Sequence, residues 1–318
     1  MRASPSGAVE GWQCRIDDHE FHLFRTLVER ETGIQLPESK RSLLVGRLAR
    51  RLRDLGLDSF GAYFRLVTSE GGADERVRMI DRIATNETQF FREARQFEFL
   101  ENDVLPDWAA RAQERGRRVR AWSAACSTGE EPYSIAMTLC ARLPGWQIEV
   151  MATDLSTRVL DEARAAVWPI EQSREIPERY LKAFMLRGVA ENQGYMKAGP
   201  ELRALVRLGQ LNLHADRYAL DGTFDLIFCR NVLIYFNAEG RAAVVKKLLQ
   251  HLAPDGMLFL GHAETLDAAR FGLRSVGPAV HARGGRAASG SGGWALPPRP
   301  RSQGGARAPG QIKRKEGS

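Results

Sequence analysis

The feature that most constrains this chain is a short apolar run that leads into a loop of small residues and then into a helical pattern. Val119 to Trp122 predicts a strand, the small residues occupy positions 123–129, and the helical pattern is established by Pro132. An open α/β sheet builds a ligand pocket from such a strand, turn and helix, at the carboxyl end of its first strand. The run therefore predicts an α/β protein with a pocket beside this turn.

The chemistry of the turn favours one class of cofactor. Gly129 is the single glycine of the loop, and Glu130 and Glu131 follow it directly, so the dinucleotide-binding fingerprint is absent. Two adjacent carboxylates are a poor cradle for a pyrophosphate, but they suit a ligand that carries hydroxyls or a positive charge. This favours S-adenosylmethionine, a sulfonium with a free ribose, over NAD or ATP. The alternative is a plain connection whose acids stabilise the helix N-terminus.

A second acid lies where a cofactor ribose is expected. The predicted strand from Gln147 to Thr153 is followed by Asp154, and Ser156 is a suitable cap for the next helix. An acid at the tip of the second strand, about 20 residues or more past the turn, is placed to bind ribose hydroxyls. Asp154 is therefore the strongest single candidate for a cofactor contact.

Composition narrows the class of protein. No run of about 18 apolar residues is present, so we predict no transmembrane segment. Residues 1–11 lack the apolar stretch of a secretory signal, and the four cysteines show no CxxC spacing. We therefore expect a cytoplasmic protein with reduced thiols and no metal site.

The net charge of +7 comes from the C-terminal tail. Eight basic residues and one acid lie between His281 and Ser318, so residues 1–280 are neutral overall and give no reason to expect a specific nucleic-acid partner. The tail is rich in Gly, Pro, Ser and Arg, so we predict disorder over residues 283–318 and a flexible N-terminus over residues 1–16. The tail is either a solubilising extension or a weak electrostatic tether to membrane or nucleic acid.

Hydrophobic periodicity predicts two folded parts and a connection between them. Residues 17–83 predict a bundle of four helices, and residues 84–115 a connecting segment with one charged helix near 94–115. Over residues 116–282, four predicted strands alternate with helices, which indicates a doubly wound parallel sheet. Residues 168–221 are too long for one crossover, so we expect a small inserted antiparallel β-subdomain at about 180–210, with strands near 195–197 and 203–208.

Five motifs, in this order, resemble the CheR-type chemotaxis receptor methyltransferases. They are TNETQFFRE (85–93), SAACSTGEEPYSIA (123–136), TDLS (153–156), FDLIFCRNVLIYF (224–236) and LAPDG (252–256). The likeness covers roughly residues 18–282. It implies an S-adenosylmethionine-dependent methyltransferase fold and O-methylation of glutamate side chains on the cytoplasmic methylation helices of chemoreceptors. We expect such an enzyme to be a monomer.

The resemblance also implies roles for residues that the pattern leaves open. It makes Asn86, Thr88 and Arg92 cofactor contacts, with Arg92 facing the cofactor's carboxylate; from the pattern alone this segment is equally a capped helix start. Glu130 is expected beside the methionine amino group. Asn212 and Leu213 are expected beside the adenine.

A third group of candidates follows the predicted strand 224–229. Arg230 and Asn231 are expected to contact the cofactor, and Arg230 and Tyr235 to position the substrate. The loop lacks the Asn/Asp-Pro-Pro-Tyr/Phe motif of many amino methyltransferases, which is compatible with a carboxylate target. Since a glutamate is ionised at pH 7, no general base is expected. For Arg230 the alternative is an ion pair that closes the sheet, and His262 is either a pocket residue or a structural histidine.

A basic segment in the helical part is a candidate docking surface. Residues 40–53 contain six basic residues and no acid, and Lys40, Arg47, Arg50 and Arg51 fall beside the leucine stripe of this helix. Such a face suits an acidic substrate helix, and the alternative is a plain solvated face. Two other functions also stay open: a methyltransferase acting on another protein or a small carboxylate, and a non-enzymatic sensor of the cofactor.

Overall fold

The computed structural model describes residues 15–283. The predicted disordered segments therefore lie outside the described residues, except for residues 15, 16 and 283. Helices occupy α1 Asp18–Thr32, α2 Arg41–Asp54, α3 Phe60–Thr68, α4 Ala73–Ile83, α5 Ala94–Phe99, α6 Leu105–Ala110, α7 Glu130–Arg142, α8 Thr157–Ala165, α9 Glu178–Phe184, α10 Pro200–Leu205 and α11 Ala238–Gln250. Between residues 15 and 283, no helix combines the length and apolarity needed to cross a membrane.

Ten strands form two sheets within the described range. They are β1 Arg118–Ala124, β2 Gln147–Asp154, β3 Val167–Pro169, β4 Met185–Arg187, β5 Tyr195–Ala198, β6 Val206–Gln210, β7 Phe224–Cys229, β8 Leu252–Leu260, β9 Leu273–Gly277 and β10 Val280–Arg283. The large sheet has the order β6-β2-β1-β7-β8-β10-β9, and the small sheet has the order β3-β5-β4.

The N-terminal bundle forms because each of its four helices carries one apolar face. The stripe on α2, Leu44, Leu48 and Leu52, is fully buried against aromatic residues of α1 and α3. α1 begins at a capping box, in which the Asp17 carboxylate accepts the backbone N–H of Glu20. The predicted helical bundle is therefore confirmed.

The large sheet is buried on both faces, as a doubly wound sheet requires. Along β1, Val119 and Ala121 pack into one core cluster, whereas Trp122 and Ala124 pack into the other. This alternation follows from the two-residue period of a strand. The five neighbouring strands β6, β2, β1, β7 and β8 are parallel to one another. β10 runs antiparallel to both of its neighbours, β8 and β9. The predicted α/β fold is confirmed, with the last strands making the sheet mixed.

The inserted subdomain is present, but its predicted bounds were wrong. Its sheet starts at Val167 rather than near residue 180, and the strand predicted near 203–208 belongs elsewhere. β6 pairs in parallel with β2 and forms the edge of the large sheet. The residue pattern of a short strand does not show which sheet it joins, so hydrophobic periodicity alone could not have assigned β6 to the large sheet.

The helix that connects the bundle to the sheet, predicted near 94–115, is shorter than predicted and is not α-helical throughout. Residues Ala94–Phe99 are α-helical, Leu100–Val104 form a π-helical segment, and the helix ends at Ala110 rather than near residue 115. Pro106 lies at the start of α6 and has no N–H to donate to the preceding turn. The missing hydrogen bond is consistent with the change from α-helical to π-helical winding just before it. Arg283, expected in the tail, is the last residue of β10.

One buried ion pair ties the bundle together and gives a stability test. Glu75 accepts two hydrogen bonds from Arg51, at 2.7 and 2.5 Å, and one from the Tyr63 hydroxyl at 2.9 Å. Burial alone would raise the pKa of Glu75, but Arg51 and Tyr63 together lower this pKa below its ordinary value.

Replacing Glu75 by Ala should lower the free energy of unfolding by about 2 kcal/mol, because the partly buried Arg51 guanidinium and the buried Tyr63 hydroxyl both lose their partner. Asp74→Ala, at an exposed position on the same helix, should change it by about 0.5 kcal/mol or less. Since the folded-state pKa of Glu75 is lowered, the stabilisation is present above the pKa of the unfolded carboxyl, about 4.3, and is lost as pH falls. Urea unfolding of both variants at pH 7 and pH 4 checks this, and an equal loss at both pH values would contradict it.

Candidate active site

A cavity of about 690 Å³ lies between the helical bundle and the carboxyl ends of the parallel strands. This volume is in the usual range for a site that encloses a small molecule. Residues of α1, α2 and α4 line one side, and the loops that follow β1, β2, β6 and β7 line the other. The cavity thus occupies the crevice where open α/β sheets bind ligands.

The turn after β1 is shaped by left-handed backbone. Ala125, Ser127 and Gly129 have φ angles of 67°, 50° and 100°. A Cβ on Gly129 would lie 3.0 Å from Ala163 Cβ, so the close approach of the turn to α8 also favours glycine here. The turn is held to β2 because the backbone N–H groups of Ala125 and Cys126 both donate to the carbonyl of Thr153.

Asp154 lies at the end of β2, in the cavity wall. Its carboxylate accepts the backbone N–H of Ser127 at 2.9 Å and that of Ser156 at 3.0 Å. Burial raises the pKa of Asp154, an effect that these backbone hydrogen bonds oppose. A carboxylate has about four acceptor positions, so two remain for the hydroxyls of a ligand.

The second acid of the Glu130–Glu131 pair, rather than the first, lines the cavity. Glu130 was expected beside the methionine amino group, but its carboxylate accepts the Thr128 hydroxyl at 2.7 Å and burial raises its pKa. Glu131 instead accepts the Ser123 hydroxyl and the Nε–H of Arg230, each at 2.7 Å. Adjacent residues at a helix start point about 100° apart, so only one of the two can face the cavity.

Arg230 lies in the cavity wall, but its guanidinium is already engaged. It donates to Glu131, to the carbonyl of Arg92 at 2.6 Å and to Gln96 Oε1 at 3.0 Å, and its side chain is 1% exposed. An arginine held in this way is not a free cation for a substrate carboxylate. The geometry therefore favours the alternative of an ion pair that closes the sheet over a direct contact between Arg230 and the substrate.

The segment before α5 places three predicted residues in the wall: Asn86, Thr88 and Arg92. The Asn86 carbonyl accepts the Ser127 hydroxyl at 2.9 Å, which joins this segment to the turn after β1. Within the described part of the chain, the buried Asn86 Nδ2 has no hydrogen-bond partner. An unpaired amide donor in a cavity wall is suited to a polar ligand. Arg92 is half-buried and donates to the carbonyl of Glu87 at 3.0 Å.

The remaining predicted contacts lie around the same cavity and join the two folded parts. Asn212 Nδ2 donates to the carbonyl of Glu31 at 2.7 Å, and the backbone N–H of Gln35 donates to the carbonyl of Tyr235 at 2.8 Å. Leu213 is buried in the wall, and Asn231 adopts a left-handed conformation with φ of 59°. The structure thus brings all the predicted cofactor contacts except Glu130 to one cavity. His262, by contrast, lies outside the wall with its side chain half-exposed.

The four basic residues of the candidate docking surface do not share one environment. Lys40 and Arg50 are exposed, and Lys40 also lines the cavity. Arg47 donates to the Ile83 carbonyl and to the Thr85 hydroxyl, and burial lowers its pKa. Arg51 is bound to Glu75. The four residues therefore do not form one free surface, because Arg47 Nη1 donates to Ile83 and Thr85 and the Arg51 guanidinium is paired with Glu75.

Comparison with known proteins decides the family. The model of the CheR methyltransferase SAM-binding domain matches residues 86–277, and that of the CheR methyltransferase all-alpha domain matches residues 19–84. The chain belongs to the CheR methyltransferase family. This confirms the resemblance, S-adenosylmethionine as the cofactor and the assignment as a methyltransferase.

Two curated relatives support this over most of their length. Chemotaxis protein methyltransferase 2 of Pseudomonas aeruginosa is 40% identical over 281 residues, which cover 88% of this chain and 98% of the relative. The chemotaxis protein methyltransferase of Escherichia coli is 40% identical over 265 residues, which cover 81% of this chain and 89% of the relative. The chain is thus a SAM-dependent methyltransferase related to chemotaxis enzymes.

Sequence reasoning did not single out Glu131 over Glu130, and it missed Gln96, Glu93 and Glu264, which lie behind the cavity wall and hold its loops. Helical periodicity places Glu131 and Ser134 on one face of α7, and that signal could have favoured Glu131 over Glu130. Glu93 accepts hydrogen bonds from Asn231 Nδ2 and from the backbone of His262. No local pattern marks Gln96 or Glu93, because their partners are more than 100 positions away.

The two adjacent acids provide a paired test of the site. Glu131→Gln should weaken S-adenosylmethionine binding by about 1.5–3 kcal/mol, because the charged hydrogen bond that orders Arg230 is lost. Glu130→Gln should have a smaller effect, since that side chain faces away from the cavity. Calorimetric titration of both variants measures the affinity for S-adenosylmethionine. A larger loss of affinity for Glu130→Gln would contradict this assignment and would favour Glu130 as the cofactor contact.

Proposed function

We propose that this CheR-family enzyme methylates glutamate side chains on the cytoplasmic helices of chemoreceptors. The observation that carries the proposal is the position of the cavity, which has cofactor-type loops on one side and a bundle with exposed basic residues on the other. The names of the relatives, chemotaxis protein methyltransferases, support the same substrate class. The substrate would place the enzyme in the cytoplasm. We propose that the enzyme acts as a monomer.

The cofactor would be held by side chains whose hydrogen-bonding groups are unpaired or only partly engaged within the protein. When bound, S-adenosylmethionine supplies an activated methyl group on a positively charged sulfur. The Asp154 carboxylate is suited to ribose hydroxyls, the free Asn86 amide to a polar acceptor, and Arg92 to the amino-acid carboxylate. Glu131 would supply the negative charge that was assigned to Glu130. Thr88, Asn212, Leu213 and Asn231 complete the wall.

The chain would contribute alignment and the exclusion of water rather than proton transfer. A glutamate side chain has a pKa near 4.3 and is ionised at pH 7, so its oxygen is nucleophilic without a base. Alignment of two reactants in a dry cavity can contribute about 7–11 kcal/mol when the geometry is ideal. Arg230 and Tyr235 are then positioning residues: Arg230 orders Glu131, and the Tyr235 backbone is tied to the bundle at Gln35.

Substrate docking would use the exposed part of the basic segment. Lys40 and Arg50 are free to attract an acidic helix, whereas Arg47 and Arg51 support the bundle. Ile234 lines the same cavity as Lys40 and is 47% exposed, so a protein that reaches into the site would meet both an apolar contact and a positive charge. This combination favours a protein substrate over a small carboxylate, which needs neither contact.

Methyl transfer to a purified receptor cytoplasmic fragment tests the proposal directly. With S-adenosylmethionine labelled in the methyl group, the fragment should gain label that is released as methanol by mild base, as expected for a methyl ester. Glu→Gln substitution of the modified positions should abolish the label. Base-stable label, or label on a small carboxylate but not on the fragment, would show that the enzyme acts on another substrate.

Charge reversal at Lys40 and Arg50 tests the docking surface. The double variant Lys40→Glu, Arg50→Glu should raise the KM for the receptor fragment about tenfold or more, because attraction becomes repulsion. Cofactor affinity should be unchanged in Arg50→Glu alone, since Arg50 lies outside the cavity wall. Added salt should raise the KM of the unmodified enzyme, since exposed charges are screened over about 8–10 Å. Lys246→Glu, at an exposed position on α11, is the matched control. Equal KM values for the double variant and the control would exclude this surface.

A further inference from the structure

Glu264 is a buried acid in the loop after β8 whose carboxylate binds backbone only. Its side chain is nearly inaccessible, and its two oxygens accept four backbone N–H groups. The donors are Gly261 at 2.6 Å, Leu233 at 2.7 Å, and Asn231 and Val232 at 2.9 Å. All the acceptor capacity of a carboxylate is therefore used inside the protein.

Three of these donors belong to the loop after β7. Asn231 is left-handed with φ of 59°, and a short 3₁₀ turn covers Leu233–Tyr235. The first N–H groups of a helical turn have no partner within the turn. The Glu264 carboxylate supplies that partner, and it thereby holds a loop whose backbone is in a sparsely populated conformation.

This loop forms part of the cavity, whereas Glu264 does not. Arg230, Asn231, Val232, Ile234 and Tyr235 all line the cavity, and Glu264 is absent from its wall. Any influence of Glu264 on the cofactor must therefore pass through the backbone that it holds.

The chain packs closely around the carboxylate at Gly261. A Cβ on Gly261 would lie 2.7 Å from Asn231 Nδ2 and 2.8 Å from Glu264 Oε2. Both distances are below 3.0 Å, and the backbone N of Asn231 would lie at 2.9 Å, so a side chain at this position would have to displace the loop or the carboxylate. The ends of β7 and β8 are thus clamped together around one carboxylate.

We propose that Glu264 is a positioning residue for methyl transfer: it fixes the loop from Arg230 to Tyr235 in the conformation that binds the cofactor. The inference rests on S-adenosylmethionine-dependent activity alone and is independent of which protein accepts the methyl group. It also explains why an acid is needed here. A glutamine of the same size would offer one accepting oxygen, and its NH₂ group would face two N–H donors.

The test compares Glu264→Gln with Glu239→Gln, which removes an exposed carboxylate on α11. For Glu264→Gln we expect S-adenosylmethionine affinity to be about tenfold weaker or more, from the loss of charge-assisted hydrogen bonds. Turnover should fall by a similar factor, with an unchanged circular dichroism spectrum. Glu239→Gln should match the unmodified enzyme. A lower melting temperature with unchanged affinity and turnover below the transition would mean a merely structural role and would overturn the proposal.

Glu264→Asp covers the case in which Glu264→Gln fails to fold. It keeps the charge but shortens the side chain by one methylene, so affinity and turnover should both be measurably lower than in the unmodified enzyme. Affinity and turnover equal to those of the unmodified enzyme would overturn the proposal.

Hydrogen exchange in the unmodified protein gives independent evidence. The amides of Asn231, Val232 and Leu233 should be strongly protected, and exchange at the rate of an open loop would contradict the described contacts.

Discussion

The buried ion pair between Glu131 and Arg230 connects the three chain segments that form the cofactor side of the cavity. Glu131 comes from the start of α7, Arg230 follows β7, and Arg230 also donates to the backbone of Arg92 and to Gln96. Burying two charges is costly unless they are paired and their remaining donors and acceptors are satisfied. Here the Ser123 hydroxyl also donates to Glu131, and Gln96 Oε1 and the Arg92 carbonyl accept from Arg230. Because each partner satisfies the other, the loops after β1 and β7 and the segment before α5 are held in one mutual arrangement.

The features of this arrangement that depend on local sequence were predictable. The strand–turn–helix run, the acid at the tip of β2 and the apolar stripe of α2 all follow from residue spacing, and the structure contains each of them. The position of Asp154 in the cavity wall follows from the rule that ligands bind at the carboxyl ends of parallel strands. Family resemblance added Asn86, Thr88, Arg92, Asn212, Leu213 and Asn231, which share no local pattern. The structure brings their side chains or backbone to the same cavity.

The features that depend on distant partners were not predictable. Arg47 and Arg51 have the composition of an exposed basic face, but their donors are taken by Ile83, Thr85 and Glu75, which lie 24 or more positions away. Which of Glu130 and Glu131 faces the cavity depends on the exact start of α7, and helix ends are the least certain part of a sequence pattern. Likewise, β6 joins the large sheet because β2 has a free edge, and no property of its five residues shows this.

A crystal structure with S-adenosylhomocysteine tests the account of the site most directly. We expect the ligand in the cavity between the bundle and the sheet, with its ribose hydroxyls on Asp154, a polar group on the Asn86 amide, and the Glu131–Arg230 pair unbroken. The two remaining acceptor positions of Asp154 and the unpaired Nδ2 of Asn86 lead to this expectation. A ligand bound outside this cavity, or an Arg230 that leaves Glu131 to bind the ligand carboxylate, would contradict it.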